Sequence, residues 1–178
     1  MAMNDTQRRL PSPKRNAGGF ALLIAVIFMS VMLTFGLALG SLAYKQEVLA
    51  SSALESQYAF YAADASMECA LYADQNNGGQ PSLFTYPSSN PGTAPALSCD
   101  GAQAISSSEV WSLSRWVVSE RLSLDASTAH PRCADVTVYK YAGGETYLFS
   151  QGYNLPCSTV ASPGAARLVS RGIEVHYK

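Results

Sequence analysis

Three hydrophobic rhythms follow one another along the chain. From Phe20 to Tyr44 the apolar positions are nearly continuous, broken only by small residues and single hydroxyls, and no charged residue occurs between Asn16 and Tyr44. Roughly 20 apolar residues cross a bilayer as a helix, so this segment is long enough to span one. The next stretch, QEVLASSALESQYAFYAADASMECALYADQ at 46–75, has no Pro or Gly and is rich in helix formers. It predicts that the spanning helix runs on without a break to about Asn76, reaching about 85 Å at 1.5 Å per residue. Along this outer half Leu54, Tyr58, Tyr61, Ala65, Cys69 and Tyr72 recur at three- and four-residue steps, with Glu55, Asp64 and Asp74 mostly off that stripe. The stripe is the face expected to pack on the protein's own sheet.

The third rhythm is alternation. CADVTVYKYAGGETYLFSQGYN at 133–154 is two β-rich runs around Gly143-Gly144, a two-residue hairpin signal that pairs Ala142 with Glu145 and places Cys133 opposite Asn154. ARLVSRGIEVHYK at 166–178 supplies another strand. Residues 77–108 open on Asn-Gly-Gly and run through Pro, Gly and Ser, which reads as a surface connection. In 106–124, Ser106 with Glu109 fits a helix capping box, while Trp116, Val118, Leu122 and Leu124 sit at the even spacing of a strand. A short helical turn followed by a strand is the expectation there. The sum is an α+β fold: a long N-terminal helix whose outer half lies on an antiparallel meander of three or four strands. The segments are a leader at 1–19, a transmembrane or core helix at 20–44, its outer half at 45–76, and a β-rich head at 77–178 formed together with 45–76.

Charge orients this arrangement. Residues 1–19 carry Arg8, Arg9, Lys14 and Arg15 against Asp5, a net of +3, whereas residues 20–178 carry a net of −4. Basic flanks stay in the cytoplasm, which places the head outside a single-pass inner membrane span. The four cysteines, Cys69, Cys99, Cys133 and Cys157, all follow the span, and an even number in an exported region fits two disulfides. Four cysteines allow three pairings. The hairpin geometry brings Cys157 close to Cys133, and Cys99 could tie down the long connection by pairing with Cys69. The separations of 30, 34 and 24 residues lack the short Cys pairs of a zinc site, so no metal and no cofactor is expected.

The junction KRNAGGFALLIAVIF at 14–28 admits three readings. A secretory signal peptide could use ALG at 38–40 or SLA at 41–43 for cleavage, but its apolar core is normally shorter than this one. A plain signal anchor gives Gly18-Gly19 no role. The third reading is that this segment resembles the type IV prepilin superfamily, in which a short basic leader ending in Gly is cut by prepilin peptidase before a Phe that heads a hydrophobic helix. YAADASMECALYADQ at 61–75 similarly looks like the A-[DE]-A-x-x-E pattern of some minor pilins and secretion pseudopilins, with Ser66 where Gly is common.

The resemblance implies cleavage between Gly19 and Phe20, N-methylation of Phe20, and assembly with other pilin subunits through the N-terminal helix into a cell-surface or periplasmic filament. Major pilins generally carry Glu at the fifth mature position; here it is Ile24. That departure points to a low-copy minor pilin or pseudopilin, because a filament made wholly of this chain would leave each buried N-terminal amine without a counter-charge. The alternative is a membrane-anchored extracytoplasmic binding module that never polymerises. An enzyme is not expected: there is no G-x-S-x-G, S-x-x-K, H-E-x-x-H or phosphate-binding Gly-rich loop, and His130 and His176 read as surface residues. Arg115, Arg121, Arg132, Lys140, Arg167, Arg171 and Lys178 do not outweigh the acidic balance, so nucleic acid is an unlikely partner.

Overall fold

A computed structural model describes residues 18–75, 79, 81–99 and 101–178. The expected leader, with Arg8, Arg9, Lys14 and Arg15, therefore lies outside the described residues except for its last two glycines. The order of elements is α1 (Gly18–Gln75), β1 (Ser98–Cys99), β2 (Ala102–Gln103), β3 (Ser106–Trp111), β4 (Arg115–Leu124), β5 (Arg132–Tyr141), β6 (Thr146–Tyr153), α2 (Cys157–Val160) and β7 (Ser170–Tyr177). Strands β3 to β7 form one antiparallel sheet in sequence order, and β1 with β2 makes a separate two-stranded ribbon. The fold is α+β, with a meander of five strands. The chain divides after Val48 into two compact units, the second being Leu49–Lys178.

The extra strand comes from 106–124. The expected helical turn is absent, and the segment is a hairpin in which Ser106–Trp111 pairs with Trp116–Arg121. Glu109 caps no helix; its carboxylate accepts the Trp116 indole N–H at 2.7 Å. Alternation decides the outcome: Trp116, Val118, Leu122 and Leu124 all turn inward and are buried, a gain that a short helix could not match.

The β5–β6 hairpin is shifted by one residue from the sequence expectation. Tyr141 N–H donates to the Glu145 carbonyl at 2.9 Å, and Cys133 faces Tyr153 rather than Asn154. A two-residue type I′ turn needs positive φ at both central residues. Only Gly144 has it (φ 89°), so the loop takes three residues with Gly144 in the left-handed position.

The packed face of α1 is also not the one expected. Leu54, Tyr58, Tyr61 and Tyr72 are exposed, Ala65 is exposed and Cys69 is half-buried. The buried stripe is Ala59, Ala62, Ala63, Ser66, Met67, Ala70, Ala73 and Asp74. The reason lies on the sheet. A Cβ on Gly152 would sit 2.2 Å from both the Ala59 carbonyl oxygen and the Ala63 nitrogen. Helix backbone and strand backbone nearly touch here, which only small residues on both sides permit. Ser150 Oγ donates to the Ala63 carbonyl at 2.8 Å and meets Ser66 Oγ at 2.6 Å, fixing the helix along its axis.

Further along, where the gap widens, the connection fills it. Phe84 and Leu97 are essentially inaccessible and join Val118, Leu122, Val136, Val138 and Leu148 in the core. Residues 77–108 are thus not simply a surface connection. Asp74 closes this end: its carboxylate accepts Lys140 Nζ at 2.5 Å, Ser82 Oγ at 2.6 Å and the Tyr177 hydroxyl. It joins the end of α1 to β5, to β7 and to the chain that follows the helix.

The close approach predicts that Gly152→Ala will destabilise the head by about 3 kcal/mol, since only backbone atoms surround the new methyl. Gly143→Ala, with nothing within 4 Å of the added carbon, should change stability little. Urea unfolding of the two variants checks this; equal midpoints would refute the contact.

Candidate functional site

The described residues hold no cluster of His, Cys, Asp and Glu that could bind a metal. What the molecule offers is a surface that its own chain does not cover. Every residue from Phe20 to Ala50 is exposed, and from Phe20 to Tyr44 the helix carries no charged residue. By length and composition α1 can cross a membrane once. Gly19 and Phe20 fall in the first turns of α1, and Ile24 stands on the same bare helix at 50% exposure. At Gly36 and Gly40, four residues apart, an added Cβ would meet nothing within 4 Å beyond the helix's own turns. They lie on one face of the helix, where a second backbone could approach closely.

The cysteines are brought together in two bonds. Cys69 of α1 joins Cys99 of β1, with Cα atoms 5.9 Å apart, and so holds the Leu97 segment against the helix. Cys133 of β5 joins Cys157 at the start of α2, with Cα atoms 4.7 Å apart.

The remaining sequence candidates do not converge. His130 is exposed in the β4–β5 connection, and His176 is exposed on β7 with its ring stacked on Tyr147 at 4.1 Å. Of the basic residues, Arg121 pairs with Asp135 at 2.7 Å, Lys140 with the buried Asp74, and Arg167 with Glu55 at 3.7 Å. Arg132 lies over the Tyr58 ring at 4.7 Å, Arg115 sits 6.0 Å from the Tyr139 ring, and Arg171 donates to Ser56 Oγ at 2.7 Å. These cations are spread over different elements, and none of these contacts joins two of them.

Sequence reasoning passed over two buried carboxylates. Asp74 falls off the stripe that the spacing of large residues marks, yet it is 6% exposed. Glu120 reads as an ordinary strand residue, yet it is 4% exposed and its two oxygens share the Leu97 N–H at 3.1 and 3.0 Å. Burial pushes its carboxyl up to about 7, against the smaller opposing effect of that hydrogen bond. The signal for Glu120 was available: it falls in phase with Trp116, Val118 and Leu122 on the inward side of β4. The Tyr177 hydroxyl is likewise pushed up, first by burial and then by its bond to Asp74.

Comparison of the chain with protein-family models, with curated proteins and with solved structures finds no match in any of the three.

Two predictions follow from the tied head. Because the folded Glu120 carboxyl holds its proton more tightly than the unfolded one, its contribution to stability falls as pH rises from about 4.5 to about 7 and is level above that. Glu120→Gln keeps an acceptor for Leu97 and should raise stability at pH 8 by about 2 kcal/mol, with little change at pH 4. Denaturant titrations at both pH values measure it, and an equal effect at each would refute the burial argument. Replacing Cys133 and Cys157 together by Ala opens a separation of 24 residues and should cost about 3 kcal/mol. Calorimetry of the double variant against the parent chain tests that figure.

Proposed function

We propose that the chain is a structural subunit of the minor type IV pilin or pseudopilin kind, held in the inner membrane until its N-terminal helix is taken up into a filament. The observation that carries the reading is the bare apolar helix that starts at a Gly-Gly-Phe junction and continues unbroken, as α1, into a disulfide-tied head. Lipid can cover such a helix, and so can other helices of the same sort, whereas water cannot. Gly36 and Gly40 support the helix-to-helix option, because they remove side chains where two backbones would meet. The basic leader and the four cysteines support an outward-facing head.

In this reading prepilin peptidase cuts between Gly19 and Phe20, and Phe20 becomes the methylated N-terminus. Ile24 supplies no carboxylate to meet that amine in a neighbouring copy, which supports a tip, initiating or sparse position over a shaft made of this chain alone.

Mass spectrometry of the mature protein should find Phe20 first, and Gly19→Val should leave the chain at full length. Immunogold labelling of sheared filaments should mark ends or scattered points. Continuous label along the shaft would reject the low-copy role. A normally trimmed Gly19→Val chain would reject the processing site, and an untrimmed parent chain with no filament label would point to an anchored binding module instead.

A further inference from the structure

The sheet has two faces, and α1 covers only one. On the other, β4, β5 and β6 line up two neighbouring cross-strand rows, Ser119–Thr137–Phe149 and Arg121–Asp135–Gln151. Together with Ser106, Ser108, Glu120 and Val136, these six residues line an open groove of about 470 Å³. Phe149 is 38% exposed, and its ring reaches over Gly172 of the edge strand β7: a Cβ on Gly172 would lie 3.1 Å from the ring's Cζ. The missing side chain lets the ring lie across the adjacent strand.

The lining carries no net positive charge: Arg121 and Asp135 offset each other, and Glu120 also lines the groove. Arg121 donates Nε and one terminal nitrogen to the two oxygens of Asp135, at 2.7 and 2.8 Å, and Asp135 also accepts the Tyr153 hydroxyl at 3.0 Å. Ser119 and Thr137 hydroxyls sit 3.3 Å apart. The Gln151 amide makes no side-chain hydrogen bond among the described residues. The groove thus combines an apolar ring with groups that both donate and accept, and with a fork-shaped ion pair whose charges cancel.

That combination selects an occupant. A polyanion finds no net positive charge here, and residues 20–178 as a whole carry −4. The side chains of an apolar peptide would strip water from Gln151, Ser119 and Thr137 without replacing its hydrogen bonds, leaving only a backbone to do so. A sugar ring has one face of C–H groups to lie on Phe149 and a rim of hydroxyls that donate and accept in turn. We infer that this open sheet face binds a neutral oligosaccharide, with one pyranose on Phe149 and its hydroxyls on Gln151, Asp135 and Thr137. The inference does not depend on whether the chain polymerises.

The test uses the full chain in a sugar-free zwitterionic detergent, with saturation-transfer NMR against neutral hexasaccharides of glucose, galactose, mannose and N-acetylglucosamine. At least one should receive saturation on its ring C–H protons at millimolar concentration. Phe149→Ala should weaken that binding about tenfold. Gly172→Val, which displaces the ring while leaving Phe149 in the sequence, should do the same, and Tyr58→Ala, on the exposed side of α1, should leave it unchanged. Absence of transfer to all four sugars overturns the proposal. So does binding that survives both Phe149→Ala and Gly172→Val, or binding of a dextran sulfate in place of every neutral sugar.

Discussion

The head rests on one close contact, that of the α1 backbone at Ala59–Ala63 with Gly152 of β6. Where two backbones come this near, hydrogen bonds from short side chains replace the usual interlocking of large ones. Ser150 and Ser66 supply them, and the contact sets both the height of the helix above the sheet and its position along its axis. The rest of the core accommodates that height. Trp116, Leu122, Leu148, Phe84 and Leu97 fill the space that remains where the sheet twists away, and Asp74 finds Lys140 and Tyr177 because the helix ends where it does.

This constraint also explains what could and could not be read from the residues. The apolar run at 20–44, the β-rich pair around Gly143-Gly144 and the last strand were legible, because each is a periodic pattern within a few neighbouring positions. The packed face of the helix was not. A count of large apolar residues favours Tyr58, Tyr61 and Tyr72, whereas the sheet selects for smallness and so selects Ala59, Ala62, Ala63 and Ser66. The clue was a glycine inside a strand, Gly152, which marks a close backbone approach only once its partner is known. The hairpin register failed on a similar point: Gly143-Gly144 announces a turn, but which glycine takes the left-handed conformation depends on how the flanking strands pair. Glu120 and Asp74 were missed because a carboxylate's burial is a property of tertiary neighbours. The bare helix was the most legible part of the candidate site. The groove on the sheet was the least, since its rows join residues from three strands.

The molecule divides its surface between two needs. Among the described residues of the first unit, 20–48 is largely apolar helix exposed along its length, so it calls for a covering of lipid or of other helices. The second has a complete core, two disulfides and a buried ion pair, and it puts small residues on one helix face while leaving Leu54, Tyr61 and Tyr72 exposed on the opposite one. Exposed aromatic residues on a helix that is well packed elsewhere are a cost the core does not require. The same economy appears on the sheet, where the inward positions carry almost all the aliphatic side chains and the outward ones carry hydroxyls, amides and rings.

The separations in sequence at the helix–sheet joint impose an order of events. Ser150 and Ala63 are 87 residues apart, and Tyr177 and Asp74 are 103 apart. A chain made from its N-terminus has the whole helix long before β6 and β7 exist, and nothing of its own can shield the alanine stripe in the interval. Tyr177, on the last strand of the sheet, is also the residue that closes over the buried Asp74. The head therefore cannot finish folding until β7 has been made, which puts the closing of its core late in the order of events.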